Sequence, residues 1–232
     1  MTRQELAHYI DHTLLRQDAL PQEIVQLVDQ ALRLKTYAVC VNSGYVRQAR
    51  EARREQAQLK IAATVGFPLG QSSTAAKVAE TLAAINDGAD EIDMVWNLGR
   101  FLSHDYTGVY GDIQAVVEAA GPIPVKVILE TARLNDDQIT EGAQLAVSAG
   151  AHTVKTSTGF GVAGATRDAV EILCRAVGPH VGVKAAGGIR TYKEALTMIE
   201  AGATRLGLSS TEAVLDGIDR EPTGVQDRKT SR

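Results

Sequence analysis

One aspartate and three lysines each sit singly between apolar neighbours in β-like segments: Ile92-Asp93-Met94, Val125-Lys126-Val127, Val154-Lys155-Thr156 and Val183-Lys184-Ala185. Strand side chains alternate between faces, so each charge points away from its neighbours. In parallel strands covered by helices, all four charges face one interior. An isolated buried ion is costly even after relaxation, so the pattern reads as an active site. Taken singly, each charge could be a buried ion pair, such as Asp93 with Lys126. Four on inward positions of neighbouring strands, with three lysines against one aspartate, point to chemistry. Lys155 and Lys184 fall on consecutive strands. Two ammonium groups about 6 Å apart repel by roughly 3 kcal/mol at an effective dielectric of about 20. A free lysine is neutral in only about one molecule in 2,500 at pH 7. Repulsion and desolvation lower that barrier and make Lys155 a usable amine nucleophile toward carbonyl carbon. Asp93, kept ionised beside lysine, could pass protons through water.

A second group of residues reads as an anion site. Gly187-Gly188-Ile189-Arg190 follows the seventh strand and Gly207-Leu208-Ser209-Ser210 closes the eighth. Barrels often bind phosphate there with backbone N–H groups, and Thr156-Ser157-Thr158-Gly159 after the sixth strand could contribute. Arg190 reads equally as an anion ligand or a surface residue. Cys40, in Val39-Cys40-Val41, reads as a small hydrophobe lining the barrel. The histidines His8, His12, His104, His152 and His180 show no HxH or HExxH spacing, so no metal is expected. Neither a GxSxG elbow nor a Walker loop is present.

The elements that must carry these groups recur as β-rich runs over 9–14, 37–42, 61–66, 91–96, 125–130, 153–158, 182–186 and 205–209. Helical periodicity fits 22–34, 43–58, 74–87, 112–120, 136–149, 167–177 and 192–200. Capping-box pairs Thr2/Glu5, Asn135/Gln138 and Thr191/Glu194 mark helix starts. Eight β/α units without a linker predict a TIM (β/α)8 barrel with an extra N-terminal helix, as a single domain over 1–218. A doubly wound open sheet would need a glycine-rich loop after the first strand, where Asp11-His12-Thr13-Leu14-Leu15 stands instead. The polar segment 219–232 reads as a mobile tail. With 44% hydrophobic and 22% charged residues in 232, the composition is that of a globular chain. A net charge of −4 and 4% aromatics argue against nucleic acid or an anionic membrane as partner. Two distant cysteines, no signal-type N-terminus and no long apolar run predict a cytoplasmic protein.

At these residues the chain resembles the deoxyribose-phosphate aldolase family in its bacterial-type, class I form. The resemblance runs from Ile10 to Ser210. Its most specific pieces are Ala38-Val39-Cys40-Val41-Asn42, Thr64-Val65-Gly66-Phe67-Pro68-Leu69-Gly70, Glu91-Ile92-Asp93-Met94-Val95 and Val125-Lys126-Val127-Ile128-Leu129-Glu130-Thr131. Val154-Lys155-Thr156-Ser157-Thr158-Gly159-Phe160 and Val183-Lys184-Ala185-Ala186-Gly187-Gly188-Ile189-Arg190 complete the set. The resemblance implies reversible cleavage of 2-deoxy-D-ribose 5-phosphate to acetaldehyde and D-glyceraldehyde 3-phosphate, with no cofactor. By motif, Lys155 would form the Schiff base, Lys184 would perturb it, Asp93 would relay protons and Lys126 would support Asp93. Asp11, Thr13, Cys40 and Thr158 would face the substrate, and Gly159, Gly187, Gly188, Ser209 and Ser210 would hold phosphate. Small-molecule partners and a homodimer are expected. The chain departs from the family at Asn42-Ser43, where proline usually follows asparagine, and it lacks the terminal tyrosine of some members. Other Schiff-base lyases or transaldolases of barrel fold, and an inactive sugar-phosphate-binding barrel, are the alternatives.

Overall fold

Eight short strands form where the alternation predicts them: β1 (Ile10–Leu14), β2 (Ala38–Asn42), β3 (Lys60–Val65), β4 (Glu91–Val95), β5 (Val125–Ile128), β6 (Thr153–Lys155), β7 (Gly182–Ala186) and β8 (Arg205–Leu208). Each pairs in parallel with the next and β8 pairs with β1, closing the barrel. The computed structural model describes residues 1–218, so the tail expected over 219–232 lies outside the described residues. The helices among them are α1 (Arg3–Ala7), α2 (Pro21–Leu34), α3 (Val46–Arg53), α4 (Thr74–Asp87), α5 (Leu98–Leu102), α6 (Tyr106–Ala120), α7 (Asp136–Ser148), α8 (Arg167–Val177), α9 (Tyr192–Glu200) and α10 (Thr211–Asp216). This is a TIM barrel. None of these helices is long and apolar enough to cross a membrane.

Local sequence explains most helix limits. In α2, Pro21 presets the first turn, and Ile24, Leu27, Val28 and Ala31 make one buried stripe. The boxes at Thr2, Asn135 and Thr191 all form, each with reciprocal side-chain bonds. Two helices depart from the periodicity. The helix expected over 43–58 stops at Arg53, because Leu59 must return to the start of β3, where Arg53 donates to its carbonyl at 2.9 Å. The one expected from 112 starts at Tyr106, capped by Asp105, which accepts from Gly108 N at 3.0 Å.

The apolar core is a shell between wall and helices. Val39, Val41, Ile61, Ile92, Met94, Val127, Val154 and Val183 face Ile24, Val46, Ile113, Ala143, Val170 and Leu173 in one buried cluster. The barrel interior carries only a small apolar group, Leu15, Cys40 and Ala62, with Phe67 against it. Branched aliphatic layers usually fill that space. Here charges take their place.

One ion pair lies inside the shell. Lys77 of α4 is fully buried against Asp112 of α6, whose other oxygen accepts from Thr74 Oγ1 at 2.8 Å. Burial lowers the Lys77 pKa against the pull of Asp112. Asp112→Asn should therefore cost about 3 kcal/mol, since it leaves a buried cation uncompensated. Replacing the pair together by Lys77→Met and Asp112→Leu should recover most of that loss. Urea midpoints of the three proteins check this. Equal midpoints for wild type and Asp112→Asn would remove the argument.

Candidate active site

Register brings the four charges together. Asp93 pairs with Lys126 across β4 and β5, and Lys155 pairs with Lys184 across β6 and β7. Lys126 Nζ donates to Asp93 Oδ1 at 2.7 Å. Lys155 Nζ and Lys184 Nζ both donate to Asp93 Oδ2 at 2.8 Å, so the two nitrogens are at most twice that distance apart. Asp93 is wholly buried. Burial works against its charge, but the ammonium groups of Lys126, Lys155 and Lys184 outweigh it and hold the carboxyl well below the usual carboxylate range. Burial also opposes the charge on Lys184, yet the carboxylates of Asp11 and Asp93 prevail and raise its pKa. Lys126 is likewise raised, burial being outweighed by Asp93.

The interior holds more charge than one residue per strand. Asp11 of β1 accepts from Lys184, and Arg205 of β8 reaches its other oxygen at 3.2 Å. Glu91, two residues before Asp93, lies 2.7 Å from Lys126 Nζ as an ion pair outside hydrogen-bonding alignment. The expected imbalance of three lysines against one aspartate is thus corrected. Three carboxylates, Asp11, Glu91 and Asp93, face four cations, Lys126, Lys155, Lys184 and Arg205. Glu91 and Arg205 stand on inward positions by the same alternation that marks Asp93 and Gly207. Gly207 leaves the space Lys184 needs: a Cβ there would lie 3.1 Å from Lys184 Cε.

Above this network, at the C-terminal ends of the strands, a cavity of about 320 Å³ opens to solvent. Lys155 lies in its lining together with Thr13, Thr158, Gly159, Gly187, Gly188 and Ser209. Arg16, Phe160, Arg190 and Gly207 are also in the wall. Gly187 and Gly188 have φ of 84° and 80°, a left-handed conformation that favours glycine. The loop after β6 is pinned to this turn where Ala165 N donates to the Ala186 and Gly187 carbonyls. Arg16 is committed to Asp18 and Glu23, whereas the exposed Arg190 carries no side-chain ion pair among the described residues.

Not every expected residue reaches this cavity. Asp11 and Cys40 lie wholly buried within the barrel and outside the cavity lining; Asp11 touches Lys184 rather than open space. Burial pushes the Cys40 thiol pKa up, which suits a small buried hydrophobe. Ser210 also lies outside the lining, at the start of α10. One further residue matters at the rim. Glu130, two residues after β5 with φ of 57°, accepts from Thr158 Oγ1 and so fixes the loop that carries Gly159 and Phe160. Its inward position four residues after Lys126 was available in the alternation.

Comparisons with known proteins agree with this geometry. The family described as DeoC/LacD family aldolase matches residues 6–216. A deoxyribose-phosphate aldolase of Thermococcus kodakarensis is 47% identical over 224 residues, covering 95% of this chain and 100% of the relative. The deoxyribose-phosphate aldolase of Streptococcus pneumoniae is 49% identical over 213 residues, covering 92% and 96%. Among solved structures, the deoxyribose phosphate aldolase from Aeropyrum pernix, described as having a unique tetrameric structure, superposes with a TM-score of 0.87 at 32% identity, covering 94% of this chain and 92% of that one. With Lys155, Lys184 and Asp93 joined under an open mouth, and relatives matched along nearly their whole length, the chain belongs to the DeoC/LacD family of aldolases.

Proposed function

We propose that this enzyme reversibly cleaves 2-deoxy-D-ribose 5-phosphate to acetaldehyde and D-glyceraldehyde 3-phosphate through a Schiff base on Lys155. One observation carries the reading: of the interior cations, only Lys155 also lines the cavity. The charge count supports it. The interior is electroneutral when three of its four cations are charged, and Lys126, Lys184 and Arg205 each have a raised pKa. Lys155 is the fourth cation, and it is the one whose amine reaches the cavity, where a carbonyl carbon can meet it.

In the cleavage direction the Lys155 amine adds to the C1 aldehyde of the open-chain sugar, and loss of water gives an iminium. The C3 hydroxyl gives up its proton, the C2–C3 bond breaks, and its electron pair enters the iminium to give an enamine. D-Glyceraldehyde 3-phosphate leaves. Protonation at C2 and hydrolysis then release acetaldehyde and restore the amine. Asp93 is too weak a base to keep a proton; it anchors the lysines and passes protons onward from Lys184 through water. Lys126 supports Asp93. Thr13 and Thr158 face the sugar hydroxyls, and the turns at Gly159, Gly187, Gly188 and Ser209 receive the phosphate. The two cysteines are free thiols, in keeping with a reducing cytoplasm, the compartment we assign.

Borohydride reduction with acetaldehyde, followed by peptide mass mapping, tests the mechanism. A two-carbon adduct on the peptide containing Lys155 is the expected result; no adduct on any lysine of the folded protein would sink it. The phosphate assignment is checked separately by Arg190→Ala. That variant should raise KM about tenfold for D-glyceraldehyde 3-phosphate, roughly 1.4 kcal/mol, and leave KM for unphosphorylated glyceraldehyde unchanged. Equal effects on both acceptors would count against it.

A further inference from the structure

Arg205 is the first residue of β8, so it enters the barrel from the end opposite the cavity. Its guanidinium lies 3.3 Å from the centroid of the Tyr37 ring, which stacks it in place. From there it reaches Asp11 Oδ1 at 3.2 Å. The other oxygen of Asp11 accepts from Lys184, and Lys184 donates on to Asp93 Oδ2, the oxygen that Lys155 also uses. An unbroken series of charged contacts thus runs from the barrel floor to the reactive amine. We infer that Arg205 is a positioning residue for the reaction at Lys155, holding Asp11 so that Lys184 stays against the oxygen it shares with Lys155. This inference rests on the proposed Schiff base at Lys155.

The groups facing Arg205 are Asp11 of β1, Glu91 of β4 and Tyr37 before β2, with His8 and Tyr9 across the small hollow at the floor. Asp11 faces Lys184, Lys126 and Asp93 in turn. Removing the guanidinium makes the interior more negative by one charge. Asp11 then keeps Lys184 as its direct ion-pair partner, with Lys126 further off, and the extra negative charge favours a proton on Lys155. Fewer molecules carry a neutral amine at a given pH. Arg205 touches no part of the cavity, so substrate binding itself is left intact.

The test is the pH profile of acetaldehyde trapping by borohydride on the Lys155 peptide, with steady-state kinetics on the same proteins. In Arg205→Gln the trapping midpoint should move up by about one pH unit, which is about tenfold in rate on the acidic limb. In steady state kcat should fall with KM unchanged. Arg205→Lys keeps the charge and should restore much of the wild-type profile. Asp11→Asn removes a negative charge from the same series and should move the midpoint the other way. A wild-type profile in folded Arg205→Gln overturns the inference, as do shifts of the same sign in Arg205→Gln and Asp11→Asn. Should Arg205→Gln not fold, a wild-type or upward-shifted midpoint in Asp11→Asn overturns it alone. Absence of any Lys155 adduct in the wild-type enzyme is a different failure, since it removes the Schiff base itself.

Discussion

Lys155→Leu should abolish cleavage, lowering kcat/KM on the order of 10⁴-fold or more, because no other residue replaces a covalent nucleophile. The protein should still fold. Leucine puts an apolar chain where an amine reached Asp93, while Lys126 and Lys184 remain to hold that carboxylate. Acetaldehyde and borohydride should then leave every lysine of the variant unlabelled. An adduct on Lys184 would show that the two amines are interchangeable and that cavity access does not select between them. Retained turnover with no adduct would exclude the iminium route entirely.

Asp93→Asn should be the next most damaging change, and for a different reason. The amide keeps the shape but removes the charge on which Lys126, Lys155 and Lys184 converge. Loss of proton transfer should lower kcat by about 10²–10⁴-fold, with a smaller change in KM because Asp93 is absent from the cavity wall. Stability should fall too, by roughly 3–5 kcal/mol at pH 7, the usual cost of breaking a buried ion network. The pH dependence has a definite sign. The Asp93 pKa is depressed in the folded state. Its stabilisation is therefore complete above the unfolded-state value near about pH 4 and is lost as pH falls toward the folded value. The variant should accordingly show a shallower loss of stability below about pH 4 than wild type, with Asp11 supplying the remainder. Urea titrations at neutral and acid pH would reveal this. Parallel acid curves would mean that Asp93 is not the linked group.

Much of the site was legible because strand alternation is a strict rule. Asp93, Lys126, Lys155 and Lys184 are single charges in apolar runs, and a period of two assigns all of them to one side. The reading of one charge per strand stops two residues short, however. Glu91 and Arg205 begin their strands, where a charge looks like an exposed end, and only the closed barrel turns them inward to Lys126 and Asp11. The fold followed from the same alternation, with exceptions that have local causes. Gly108 and Gly111 lower the helix propensity of the first turns of α6, and tertiary packing overrides it. Lys77 and Asp112 lie in two separate helical stretches of the sequence. Nothing local shows that the two meet.

The alternation of the wall has a further consequence for how the chain finds its pairing. A slip of one residue in β5, β6 or β7 would carry Lys126, Lys155 or Lys184 into the apolar layer beneath the helices. It would also push Val127, Val154 or Val183 among the carboxylates. Either exchange strands an ion without a counter-charge, so misaligned ladders are far less stable than the native one. The residues that make the barrel reactive therefore also act as its alignment marks.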